Sequence, residues 1–260
     1  MPDMIRQYPL TPAAGKRLIA KGLATHPWVM ETLRSGRLVI VAGTTNGYVA
    51  EEVLRAIGQS VGFVKRSFFR GITVPPRVIA RRTSQPDTFP GDVVIENGIW
   101  QRARTIYDVA SSLGPDDLIM KGANALDLQT GQSASFVDRH DAGSMGLILP
   151  AVLGRQVRLL VPVGLEKRVP GNLLDLSRRL AAPEAKGARL CPLPGTVFTE
   201  LDAIAQLTGA QALLVGAGGV AGAEGGVWLA IEDTPEKLAQ VEVLMREIIS
   251  EPAFELEPAP

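Results

Sequence analysis

The segment from Asp116 to Lys167, DDLIMKGANALDLQTGQSASFVDRHDAGSMGLILPAVLGRQVRLLVPVGLEK, gathers the side chains best suited to chemistry. Within it, His140-Asp141-Ala142-Gly143-Ser144 leads a polar loop into an apolar helix. An imidazole titrates near neutrality, so His140 and Asp141 are the candidates for moving a proton. Gly143 permits close backbone approach, and Ser144 can cap the helix or bind an anion. A solvated network of Asp138, Arg139, His140 and Asp141 accounts for the same residues without any chemistry. Upstream, Lys121-Gly122-Ala123-Asn124-Ala125-Leu126-Asp127 follows an apolar run. There Lys121 can hold an anion, and Asn124 and Asp127 can hydrogen-bond hydroxyls of a sugar or a pantetheine chain. A Gly-containing turn with a solvated lysine is the plain alternative.

Other stretches carry chemistry of their own. Gly43-Thr44-Thr45-Asn46-Gly47 joins an apolar run to a helix, and its backbone N–H groups and hydroxyls can cradle a phosphate; an ordinary βα turn has the same look. Glu96-Asn97-Gly98 sits between apolar runs. Asn-Gly there is a strong hairpin signal, while Glu96 is a candidate carboxylate nucleophile toward a thioester. No acid falls between Glu52 and Asp87, yet Arg55, Lys65, Arg66, Arg70, Arg77, Arg81 and Arg82 do, so residues 65–82 form either a phosphate-contacting or a solvated basic loop. Gly216–Gly226, GAGGVAGAEGG, has the look of a dinucleotide fingerprint but lies between two strands, so it reads as a hairpin loop. Cys191, beside Leu190 and Pro192, reads as a small buried hydrophobe.

These residues need elements to position them. Helices are expected from Pro12 to Ala24 and from Pro27 to Ser35, each opened by proline. The run Arg37–Gly43 lacks alternation, as does a strand buried on both faces. Next come a helix Tyr48–Ile57, the hairpin within residues 91–101, a helix Arg102–Leu113, a strand Leu118–Met120, a helix Ser144–Leu153 and a strand Val157–Pro162. Strands alternating with helices imply an α/β domain with a mainly parallel sheet over residues 1–186. In such sheets ligands lie beyond the carboxyl ends of the strands, where the loops at 43–47, 121–127 and 140–144 belong. After AAPEAKGA, residues 181–188, the order is strand 189–193, helix 196–208, strands 210–216 and 226–231, helix 235–249 and a strand near Phe254–Leu256. This βαββαβ order predicts a small ferredoxin-like α+β domain over residues 187–260.

Composition narrows the function classes. The 260 residues carry equal numbers of acidic and basic side chains, and 46% are hydrophobic. Zero net charge recommends neither nucleic acid nor an anionic membrane as partner. One cysteine and two histidines cannot form a disulfide framework or a Cys/His zinc centre, so no metal is expected. The opening MPDMIRQYPLTPAAGKRL lacks an apolar signal core, and the apolar window Ala210–Ile231 is broken by glycines and Glu224. A cytoplasmic protein is expected.

The pattern GANALD…HDAGSMGLILPA…VRLLVPVG resembles the later sheet of the superfamily that contains ribose-phosphate isomerases, glucosamine-phosphate deaminases and CoA transferases (NagB/RpiA/CoA transferase-like). Gly122-Ala123-Asn124 is similar to the "GAD" turn of those proteins, His140–Ser144 to their "NKxGT" loop, and Gly43–Gly47 to their first phosphate loop. The resemblance, spread over residues 30–168, implies a three-layer Rossmann-like sheet and a sugar phosphate or CoA ester as ligand. Asn124 stands where the isomerases carry a catalytic aspartate and cannot act as a base, while His140 and Asp141 replace the asparagine and lysine of the second loop. Glu96-Asn97-Gly98 is similar to the "ENG" of CoA transferases, which implies a nucleophile at Glu96. The expectation is a metabolic enzyme of isomerase, hydrolase or transferase type that requires no cofactor, takes CoA at most as substrate, and forms a homo-oligomer. Its ligand would lie across Gly43, Thr44, Thr45, Asn46, Gly47, Lys121, Gly122, Asn124, Asp127, Gly143 and Ser144. A non-catalytic ligand-sensing or assembly subunit on the same fold is the alternative.

Overall fold

The computed structural model describes residues 4–70 and 91–255. Their fold is mixed α/β with three sheets. The largest has six strands: β2 (Arg37–Ile40), β3 (Val93–Glu96), β4 (Ile99–Trp100), β5 (Leu118–Met120), β8 (Arg158–Pro162) and β10 (Thr196–Phe198). Their order is β10-β8-β5-β2-β3-β4; the first four run parallel, and β3 and β4 run antiparallel. Leu38–Ile40, Val93–Ile95, Leu118–Met120 and Leu160–Val161 are fully or almost fully buried. This explains the uninterrupted apolar runs: a strand covered on both faces has no solvent side to alternate with.

Helix α1 (Pro12–Ala24) begins at Thr11, whose hydroxyl accepts the Ala14 N–H, with proline in the first turn. It packs against α3 (Thr44–Ala56), α7 (Glu200–Thr208) and α8 (Pro235–Ile248), while α6 (Leu173–Leu180) precedes α7 in the chain. Gly22 makes the α1–α7 approach close; a Cβ there would sit 3.0 Å from Ala203. Helix α2 (Pro27–Ser35) packs on β2, β3 and β5, and α4 (Ile106–Val109) packs on α5 (Ser144–Leu149). The Asn97-Gly98 turn has φ of 50° and 76°, the left-handed pair that a two-residue hairpin requires.

Several expectations are corrected. The helix foreseen over 102–113 is only α4 followed by a 3-10 turn, Ala110–Ser112. Thr105 and Asp108 form a reciprocal capping box that starts the helix there, and Ala103 holds a φ of 64°. The polar stretch after Lys121 contains a hairpin, β6 (Ala125–Asp127) and β7 (Gln132–Val137), whose third strand is β9 (Arg189–Leu193). The strands after residue 187 do not build a ferredoxin-like sheet. β9 pairs with β7 and β10 with β8, while β11 (Ala212–Gly218) and β12 (Gly226–Asp233) pair with each other. The third strand of that sheet is the N-terminal β1 (Met4–Leu10), which lies antiparallel to β12. One buried cluster runs from Leu10 through the central sheet to Ile248. The expected strand near Phe254 is irregular through residue 255, with the Phe254 ring 6.3 Å from that of Tyr48; residues 256–260 lie outside the described residues. Among the described residues no helix is long and apolar enough to cross a membrane.

Candidate functional site

The carboxyl ends of β2, β5 and β8 lie side by side, and each continues into a loop bearing polar side chains. After β2 the chain reaches Gly43 and enters α3. Thr45 and Asn46 are buried. The Asn46 amide donates to the carbonyls of Val41 (2.7 Å) and Met120 (3.1 Å), locking the ends of β2 and β5 together. With both N–H groups used, its carbonyl oxygen is buried without a partner among the described residues. The first N–H groups of a helix also lack partners within it. The Gly47 N–H, in contrast, is already bonded to Gly43.

After β5 comes Lys121. Its ammonium donates to the Gly122 carbonyl and the Ser135 hydroxyl, each at 3.2 Å. Both acceptors are neutral, and among the described residues Lys121 forms no salt bridge. Burial, reinforced by the charge of Lys167, pushes this amine down to about 8. After β8, residues 165–167 form a 3-10 turn that carries Lys167 back toward α3, where it donates to the Thr45 hydroxyl at 3.4 Å. Burial holds Lys167 below the ordinary lysine range too, although Glu166 and Glu200 oppose the shift. Two partly desolvated amines thus stand at one sheet edge, Asp92 opposing the shift of Lys121 as Glu166 and Glu200 oppose that of Lys167.

A third cation borders the same edge. Arg70 pairs with the buried Asp92 at 2.6 Å, and Asp92 also accepts the N–H groups of Ala42 (2.9 Å) and Ile106 (2.8 Å). The Arg70 guanidinium lies 5.3 Å from the Tyr107 ring centroid. The Tyr107 hydroxyl faces the Gly143 loop, where a Cβ on Gly143 would stand 3.7 Å from it. Beneath Lys167, Glu166 pairs with Lys16 at 3.1 Å. Burial drives the Glu166 carboxyl up, but Lys16 and Lys167 outweigh it and hold the group below its usual range. The Glu200 carboxylate oxygen accepts the Leu165 N–H at 3.0 Å, and burial with the charge of Glu166 raises this carboxyl well above its usual range.

The sequence-derived candidates divide accordingly. Gly43, Thr44, Thr45, Asn46, Gly47, Lys121 and Gly122 gather at this edge. Asn124 lies next to it with its carbonyl oxygen occupied, accepting from the Phe136 N–H (3.0 Å) and the Ser135 hydroxyl (3.3 Å). Asp127 is spent at the β6–β7 tip, holding the Gln129 N–H and the Thr130 hydroxyl. Asp141 is exposed, and its fork with Arg139 at 2.8 and 2.9 Å holds its carboxyl well below the usual range. Its Oδ1 also accepts the Gly143 N–H. His140 is exposed on that loop, and Gly143 and Ser144 begin α5. Glu96 is set apart. It faces Arg37 at the start of β2, the opposite edge of the sheet, in a cleft shared with Asp116 and Asp117. Cys191 is partly buried, and its burial raises the thiol. Of the basic stretch, Arg77, Arg81 and Arg82 lie outside the described residues.

Arg70 belongs to the basic stretch already marked in the sequence, whereas Lys167, Asp92, Glu166 and Glu200 were not singled out there. The available signal for Lys167 was its place just beyond the buried strand Arg158–Pro162, where a parallel sheet presents its ligand edge. Among the described residues no cluster of three or more His, Cys, Asp or Glu side chains is placed to hold a metal. Comparison with protein-family models, curated proteins and solved structures returned no match to this chain.

Proposed function

We propose that this chain is a metabolic enzyme that binds a phosphorylated small molecule, a sugar phosphate or a CoA ester, at the carboxyl edge of its parallel strands. One observation carries the reading. Lys121 and Lys167 are both partly desolvated, Lys121 donates only to neutral acceptors, and Lys167 reaches the start of α3 with Glu166 and Glu200 offsetting its burial only in part. An incompletely compensated ammonium held partly out of water is costly, and a bound phosphate would offset that cost. The order of the parallel strands, with helices α1, α3 and α7 packed together and α2 lying on β2, β3 and β5, supports a three-layer scaffold like that of the resembled superfamily.

The reaction would be of isomerase, hydrolase or transferase type. The transferase version with Glu96 as nucleophile is disfavoured, because Glu96 stands at the other edge of the sheet. A non-catalytic ligand-sensing subunit is the second reading. It is favoured by Asn124, whose carbonyl oxygen is engaged by the β7 backbone and Ser135 and which has no acid–base capacity. Thermal-shift ranking of sugar phosphates against CoA esters tests the ligand class, since a bound ligand raises apparent stability by mass action. Stabilisation by either class supports the proposal. Stabilisation by neither at millimolar concentration refutes it. Conversion of the stabilising compound, followed by phosphorus NMR, separates enzyme from sensor.

A further inference from the structure

The geometry points to Lys121 as an imine-forming nucleophile: its amine would condense with the carbonyl carbon of a phosphorylated aldehyde or ketone while Lys167 holds the phosphate. The inference rests on the phosphate reading above and names the substrate class for that site.

Three features of the surroundings carry it. First, Lys121 has two acceptors among the described residues, Gly122 O and Ser135 Oγ, both neutral. Neither acceptor carries a negative charge that would hold the amine in its ammonium form, and a neutral amine making both bonds keeps its lone pair free. Second, the Ser135 hydroxyl donates its single hydrogen to the Asn124 carbonyl at 3.3 Å, so toward Lys121 it can only accept. An aspartate in place of Asn124 would pull the amine back toward its charged, unreactive form. Third, Lys167 adds a second positive charge nearby and is itself directed to Thr45 at the start of α3. A neighbouring cation combined with desolvation is an established way to free a lysine lone pair. At about 8, roughly one-tenth of Lys121 is neutral at pH 7, against about one in three thousand for a lysine at 10.5.

The step balances without an external oxidant. The lone pair of the neutral amine forms the C–N bond as the carbonyl π bond breaks, giving a carbinolamine. Both amine hydrogens then leave with the carbonyl oxygen as water, and the C=N bond is formed. Protonation of that nitrogen yields an iminium, which makes the adjacent carbon acidic and suits isomerisation or carbon–carbon cleavage.

Trapping tests it directly. The whole protein is incubated with glyceraldehyde 3-phosphate and sodium cyanoborohydride, which reduces an iminium to a stable secondary amine, and adducts are located by peptide mass mapping. The expected result is one adduct on Lys121, at about tenfold or more over any other lysine. Lys121→Arg keeps the charge and should lose the adduct. Lys167→Met should keep the amine but lose the preference for the phosphorylated aldehyde over glyceraldehyde. Adducts spread over exposed lysines, or none at all, overturn the inference. Glycerol 3-phosphate, which has no carbonyl, separates the two layers. If it stabilises the protein and no Lys121 adduct forms, the imine fails and the phosphate reading stands. If Lys121 is labelled equally by both aldehydes and glycerol 3-phosphate gives no stabilisation, the phosphate reading fails and the nucleophile stands.

Discussion

The ammonium of Lys121 lies 3.2 Å from the hydroxyl of Ser135, joining the end of β5 to the small β6-β7-β9 sheet. This contact half-buries a basic side chain against a second layer of chain. Lys167 adds a second positive charge nearby, at the carboxyl edge of the central sheet. Ser135 is in turn held by Asn124, so the hairpin Ala125–Val137 acts as the wall of the candidate site.

The titration of Lys121 follows from that burial. Competitive acetylation at increasing pH, read by peptide mass mapping, should give a midpoint near 8 for Lys121 and above 10 for exposed lysines. Lys167→Met removes a charge that depresses it and should move the midpoint up. Linkage has a definite sign here. The unfolded chain binds this proton more tightly, so Lys121 makes stability rise with pH between about 8 and 10.5. Lys121→Met should flatten that rise in thermal melts.

Arg17 anchors the other side of α3. It bonds Glu52 at 2.6 Å, Glu51 at 2.5 Å and Glu251 at 2.8 Å, and only 8% of its side chain is exposed. Arg17→Ala leaves Glu51 and Glu251 with Lys65, and Glu52 with Arg55, as remaining partners, and should cost about 1.5–3 kcal/mol in urea unfolding. Burial raises Glu51 and Glu251, but Arg17 and Lys65 outweigh it, so both carboxyls sit below the usual range. Their contribution is therefore present above about pH 4.5 and lost as pH falls through their depressed values. In Arg17→Ala that acid-induced loss should shrink.

The Glu200 carboxyl has the opposite sign. Its raised value means that the folded state binds the proton more tightly, so stability declines as pH rises from the ordinary glutamate range toward that value. Glu200→Gln keeps a carbonyl acceptor for the Leu165 N–H and removes the titration. Melting temperatures of the variant should match wild type in mild acid and exceed it at neutral pH. A variant less stable at every pH would show that the ionised carboxylate is required.

The elements that follow repetitive patterns were legible. Uninterrupted apolar runs marked β2, β5 and β8, proline marked the starts of α1, α2 and α8, and Asn97-Gly98 marked its hairpin. The gathering of the loops after β2 and β5 at one edge followed from the same logic, because loops after parallel strands share an edge. Strand partnership was not legible. A short strand such as β9 or β10 carries no mark of its neighbour, and β1 finds β12 across more than two hundred residues. Polar residues likewise could not be sorted by type alone. Asp127 and Asp141 are consumed by hydrogen bonds to their own loops, whereas Lys167, read as the end of a segment, is folded back over Thr45.

Lys121 and Lys167 are proposed to hold a phosphate together at the carboxyl edge of the sheet. Isothermal titration of glycerol 3-phosphate into the wild-type protein and into Lys121→Met/Lys167→Met tests it most directly. Wild type should show saturable binding and the double variant at least about a hundredfold loss, since charge-assisted bonds contribute roughly 1.5–3 kcal/mol each. Equal affinity in the two proteins, or no binding to wild type, would contradict it.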